Sequence, residues 1–145
     1  MKRFMVAVVA AVAVTPTGVA YADASVVPDT AYTGHYYKVN PAEGFRKCVA
    51  WRESRNNRTA VSRGGHRGLY QMTPELGHGA AWMMRMAPGE RITKAQRVRL
   101  QAMPITSWSR YWQDRAFYTV LNARGPASGW KHWYLSGSAC NSLVR

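Results

Sequence analysis

Cys48-Val-Ala-Trp51-Arg-Glu53-Ser54-Arg-Asn-Asn57, followed at short range by Gly68-Leu-Tyr70-Gln71-Met72, is the stretch on which the reading of this chain turns. Just ahead of Glu53, Phe45, Cys48 and Val49 share one face of a helix. At about 100° per residue, Glu53 lies only about 40° round from Val49, at the edge of that apolar face. Such an edge is partly dry and partly open. Residues 56–68 are polar and carry glycines without a period, so a loop or short irregular hairpin should follow the helix.

Helix signals continue on both sides. Upstream, Asn40 can cap, Pro41 suits a first helical position and Glu43 falls in the first turn. Thr73-Pro74-Glu75 starts a second helix by the same logic, ending before Pro88. Thr93 and Gln96 form a capping-box pattern for a third, which runs to about Met103 and stops at Pro104. The longest helix is expected from Ser107 to Arg124, because Trp108, Trp112, Ala116 and Val120 recur every four residues with Phe117 and Leu121 alongside. Gly125-Pro126 ends it, and Trp130, Trp133 and Tyr134 form an aromatic tail before Cys140. The expected fold class is mainly α, in one domain over residues 41–145, with no internal repeat.

The first 24 residues are of another kind. Met1-Lys2-Arg3 precedes an apolar run, Phe4 to Val14, too short for a bilayer that needs about 20 residues. Small residues follow at Ala20, Ala22 and Ala24. This pattern is that of a secretory signal peptide over residues 1–24, cut after Ala22 or Ala24, with 25–40 as a leader segment. The expected product is secreted, extracellular or wall-associated. No later run is apolar enough to hold it in a membrane. Cleavage leaves 18 basic and 6 acidic side chains, a field that favours polyanions. Nucleic acid would suit a cytosolic chain, but export removes that partner. An anionic bacterial wall is the expected one, met by a monomer. The two cysteines, Cys48 and Cys140, have one possible intramolecular pairing, and an exported chain favours it.

Glu53 is the candidate catalytic residue. A glycosidic oxygen leaves only when protonated, and a carboxyl group keeps its proton near neutral pH only if burial raises its pKa. Trp51 and the Phe45/Val49 face could wall it, while Arg52, Arg55 and Arg67 would oppose the shift. The remaining carboxylates of the mature chain are Asp29, Glu43, Glu75, Glu90 and Asp114. Glu43 and Glu75 read as first-turn helix residues, Glu90 as a turn residue, and Asp114 as the partner of a basic neighbour. A single-acid mechanism therefore fits better than the two-carboxylate arrangement of ordinary glycosidases. Trp108, Trp112 and Phe117 read as core, with Trp82, Trp130 and Trp133 more open to stack on sugar. His35, His66, His78 and His132 show no metal spacing, and no cofactor or metal is expected.

Glu53-Ser54-x-x-Asn57, Ala60-x-Ser62 and Gly68-Leu-Tyr70-Gln71-Met72 together resemble the active-site region of soluble-type lytic transglycosylases, relatives of goose-type lysozyme. Cys48 just ahead of the glutamate is similar to small secreted actinobacterial transglycosylase-like domains. The resemblance covers residues 45–76. It implies a lysozyme-like fold that cleaves the MurNAc–GlcNAc bond of peptidoglycan. It makes Glu53 the general acid, Ser54 a support, and Asn57, Gly68, Tyr70, Gln71 and Met72 the residues that shape and line the sugar site. In the second half the family's A-Y-N-A-G segment has no clean counterpart. Tyr118 and Asn122 are the substrate-binding candidates there. Attack by the substrate's own hydroxyl would make the protein a lytic transglycosylase, attack by water a lysozyme-type muramidase. A non-catalytic wall-glycan-binding module and a cationic antimicrobial protein are the alternatives.

Overall fold

The computed structural model describes residues 42–87, 91–123, 130–133 and 139–140. The expected signal peptide, its cleavage site and the leader lie outside them, as do Asn40, Pro41, Glu90 and Tyr134. Four helices follow in order: α1 (Glu43–Ser54), α2 (Pro74–Met86), α3 (Lys94–Ala102) and α4 (Arg110–Asn122). Short 3₁₀ turns stand at Ile105–Ser107 and Trp130–Trp133. Between α1 and α2 the backbone makes only two isolated antiparallel bridges, Val61 with Arg67 and Arg67 with Met72. The segment expected as a loop or short irregular hairpin is thus a connection with two isolated bridges and no strand among the described residues. The fold is mainly α, and no described helix is long and apolar enough to cross a membrane.

Local chemistry sets most of the helix ends. Thr73 caps α2 by accepting from the Leu76 amide at 3.2 Å, with Pro74 at the first helical position. Thr93 and Gln96 make the reciprocal capping box of α3, at 3.1 and 2.8 Å. Two starts differ from expectation. α1 opens at Glu43 behind Ala42, which makes no side-chain cap. α4 opens at Arg110 with Ser109 as its cap, so Trp108 precedes the helix that its four-residue spacing suggested. Its indole is nevertheless buried, and Nε1 donates to the Leu100 carbonyl at 3.0 Å.

α2 packs against α3 and α4. Phe45 and Val49 of α1, Met84 of α2, Leu100 of α3 and Trp112, Phe117 and Leu121 of α4 meet in one core. Trp133 was expected to be open. It is buried, stacks at 4.6 Å on Phe117, and donates its Nε1 proton to the Tyr70 carbonyl at 2.8 Å. The side chain of Trp130 lies outside the described residues. A disulfide joins Cys48 to Cys140, with Cα atoms 5.8 Å apart, and pins the C-terminal segment to α1.

The core also holds ions. Arg46 is fully buried, and its guanidinium donates to Glu43 Oε2 at 2.8 Å and to the Tyr70 hydroxyl at 2.8 Å. Its Nη1 lies 3.0 Å from Oδ1 of the equally buried Asp114. The Tyr70 hydroxyl donates to Asp114, and the Tyr118 hydroxyl donates to Glu43 at 2.5 Å. Asp114 thus reaches across to α1, with the expected sequence neighbour, Arg110, 3.9 Å from its other oxygen. Glu43 is a member of this cluster as well as a first-turn residue. Burial alone would raise its pKa. Hydrogen bonds from Arg46 and Tyr118 and the charges of Arg46 and Lys47 outweigh that and hold the carboxyl below its ordinary value.

Candidate functional site

Glu53 occupies the penultimate position of α1 and is partly buried, at the rim of the face formed by the fully buried Phe45 and Val49. The helix stops abruptly beyond it. Arg55 and Asn56 both adopt the left-handed conformation, φ 56° and 60°. Their amides return to the carbonyls of Trp51 and Ala50 at 2.9 and 3.2 Å.

Arg55 points away from a role as counter-ion. Its Nη1 donates to the Trp51 carbonyl at 3.2 Å and its guanidinium lies 5.3 Å over the Trp51 ring. Trp51 is therefore not the apolar wall expected beside Glu53. It is 55% exposed and carries Arg55 instead. Arg52 is exposed, and Arg67 is partly buried with no hydrogen-bond partner at Nε among the described residues.

Ser54 joins the two halves of the motif. Its hydroxyl lies 3.0 Å from the Ala50 carbonyl within α1 and 2.9 Å from the Leu69 carbonyl in the turn 15 residues on. The end of α1, one residue beyond Glu53, is thereby fixed to the Gly68–Met72 turn. That turn is held from behind by Gln113, a buried residue of α4 that sequence reasoning passed over. Gln113 Oε1 accepts from the Leu69 amide at 2.8 Å. Its Nε2 faces the carbonyls of Ile105, Trp108 and Arg58 at 3.0, 3.1 and 3.1 Å. Arg58 in turn reaches the Trp108 carbonyl at 3.3 Å. One carboxamide thus binds the turn, the loop after α1 and the entry to α4. The signal was present: Gln113 stands four residues before Phe117, on the stripe that periodicity assigns to the core.

Gly68 is needed for two reasons. Its φ is +78°, and a Cβ there would sit 2.4 Å from Gln113 Oε1. Gly68→Ala should therefore cost about 2–3 kcal/mol, from left-handed strain and a disturbed Leu69–Gln113 bond. Urea unfolding measures this, and an unchanged midpoint would show that the turn has room to move.

The remaining candidates divide sharply. Gln71 sits on the turn with φ 46°, and its Nε2 donates back to the Gly68 carbonyl at 2.9 Å. Asn57 is exposed and accepts from the Thr59 amide and hydroxyl at 3.0 and 2.9 Å, a side-chain turn that shapes the loop. Tyr70 and Met72 are buried, so neither has a face for a sugar; Tyr70 serves the ionic cluster. Tyr118 is likewise buried and bound to Glu43, which removes it from sugar contact. Asn122 is exposed at the last position of α4. The structure thus ties Ser54, next in sequence to Glu53, to the turn that carries Gly68 and Gln71, and assigns Tyr70, Met72 and Tyr118 to the interior.

Among the described residues no group of three or more His, Cys, Asp or Glu converges as a metal site would. Glu75, fully exposed at the start of α2, is held below its ordinary pKa by its backbone amide and the Thr73 side chain. No protein-family model, curated protein or solved structure matches this chain.

Proposed function

We propose that the protein is a secreted peptidoglycan-cleaving enzyme of the lytic transglycosylase type on a lysozyme-like fold, with Glu53 as its single general acid. The observation that carries this reading is the Ser54 hydroxyl between the Ala50 and Leu69 carbonyls. It ties the helix end bearing Glu53 to the turn bearing Gln71, so residues separated in the chain become one rigid neighbourhood. Glu53 would protonate the oxygen between N-acetylmuramic acid and N-acetylglucosamine. The same carboxylate would then take the proton of the attacking hydroxyl: the sugar's own in a transglycosylase, that of water in a muramidase. Gln71, whose Nε2 is held by the Gly68 and Ala60 carbonyls, would accept a hydrogen bond from a sugar hydroxyl at Oε1. The Cys48–Cys140 disulfide supports an oxidising compartment, and the excess of basic side chains supports retention on an anionic wall.

Glu53→Gln should reduce clearing of purified cell-wall suspensions by about 100-fold or more, the usual contribution of a positioned acid. Undiminished clearing would refute the assignment. If neither wild type nor variant releases soluble fragments while both sediment with walls, the protein is a glycan-binding module. Mass spectrometry of the products separates anhydro ends from reducing ends.

A further inference from the structure

Five large apolar side chains are markedly exposed among the described residues, and three of them, Trp82, Met86 and Val98, lie on α2 and α3. Their concentration there has no explanation in the site around Glu53. On α2, His78, Trp82 and Met86 follow at four-residue steps along the exposed face, opposite the buried Gly77, Ala80, Ala81 and Met84. On α3, Lys94, Val98 and Arg99 face outward while Leu100 faces the core. The two helices run beside each other. Gln101 Nε2 donates to the His78 carbonyl at 3.1 Å, and the Ile92 amide reaches the Met84 carbonyl at 3.3 Å.

The charge of this face is mostly of one sign, with Glu75, two turns before Trp82 on the exposed side of α2, as its acidic member. Arg91, Lys94 and Arg99 are exposed, Arg85 and Arg97 partly so. Between Leu76 and Gln113 the sequence has one acidic residue, Glu90. The two helices and the link between them thus carry more exposed cations than acids together with three half-exposed apolar groups. A soluble sugar-bearing polyanion would use the cations and stack on the indole but gain nothing from a thioether and an isopropyl group turned to solvent. An anionic bilayer surface uses both: phosphates meet the guanidinium and ammonium groups, and the apolar groups enter the headgroup–acyl boundary, where Trp is at home.

We infer that the α2–α3 face, with Trp82, Met86 and Val98 among Arg91, Lys94 and Arg99, docks the protein reversibly on anionic phospholipid bilayers. This face is independent of Glu53 and of the reaction proposed for it. A chain leaving a cell passes such a surface before it reaches anything beyond it.

The test is co-sedimentation of the full chain with phosphatidylglycerol or phosphatidylcholine vesicles at fixed salt. It compares wild type with Arg91→Gln/Lys94→Gln/Arg99→Gln and with Trp82→Ser/Val98→Ser. All the substitutions are at exposed positions, and circular dichroism checks the fold. Every protein carries the same amino-terminal run, so differences among them report the face alone. Wild type should prefer phosphatidylglycerol. The charge variant should lose about 100-fold in affinity, at roughly a fivefold factor per cation. The apolar variant should lose about tenfold. Quenching of tryptophan emission by lipids brominated on the acyl chain should fall in Trp82→Phe. Equal binding to both lipids, wild-type affinity in both variants, or unchanged quenching in Trp82→Phe would each overturn the inference. So would charge-dependent binding to purified wall polyphosphate with none to vesicles, which would make the partner a polymer.

Discussion

Arg46→Met should lower the free energy of unfolding by about 3–5 kcal/mol, because it leaves Asp114 and Glu43 in the core without their shared cation. The geometry makes this the most sensitive position in the ionic cluster. One guanidinium bonds Glu43, Tyr70 and Asp114, and so joins α1, the Gly68–Met72 turn and α4. Urea unfolding at neutral pH measures the loss. Tyr118→Phe, which removes the hydroxyl that donates to Glu43, should cost about 1–2 kcal/mol. Replacing both members of the central pair, as Arg46→Met/Asp114→Leu, should recover part of the loss, since the uncompensated charge disappears with its partner. A loss under about 1 kcal/mol in Arg46→Met would mean that water reaches the cluster and screens it.

The same cluster sets a pH window. Glu43 is held below its ordinary 4.5, so its contribution is complete above that value and fades as pH falls through the depressed pKa. Burial, together with the neighbouring Asp114, pushes the Tyr70 phenol well above its ordinary 10.0. Burial and the bond to Glu43 push Tyr118 up likewise. A raised phenol favours the folded state most below its unfolded pKa, so those contributions fade as pH rises beyond about 10. Stability should be level between these limits and fall on both sides.

Loss of the disulfide should be comparably severe. Cys48 and Cys140 close a separation of 92 residues, for which the chain-entropy account gives about 4–5 kcal/mol. The bond also anchors the segment that presents Trp133 to Tyr70 and Phe117. Cys48→Ala/Cys140→Ala, or reduction with dithiothreitol, should lower the melting temperature by about 15 °C. A shift of only a few degrees would mean that packing of the Trp133 segment holds the fold by itself.

What could be read from the sequence was the chemistry that acts between near neighbours. The starts of α2 and α3 were legible because Thr73 and Thr93 cap amides three residues away. The motif around Glu53 was legible because its two halves carry distinctive residues, although the Ser54–Leu69 contact that unites them was not. α4 was placed too early because Trp108 stands four residues before Trp112, and a buried side chain at that spacing looks the same on a helix or on the extended link ahead of it. Tyr70 and Tyr118 read as sugar contacts in the sequence because a tyrosine's polar tip looks alike at a surface and beside a buried carboxylate. Arg46 and Asp114, 68 positions apart, have no local signature of their pairing. Gln113 was legible only as a carboxamide out of place on an apolar stripe.

The order in which the chain is made bears on one of these contacts. α1 is the first described helix to be synthesised, yet Asp114, Phe117, Tyr118 and Cys140, four of its partners across the core, all come from the last third of the sequence. Until that third emerges, the guanidinium of Arg46 lacks Asp114, its buried carboxylate partner from α4. Premature closure around α1 is thereby disfavoured, and folding waits on distant segments, which slows it. A nascent polypeptide with this property stays threadable through a narrow pore until its tail is free, and a fragment ending before α4 should be left open to proteases.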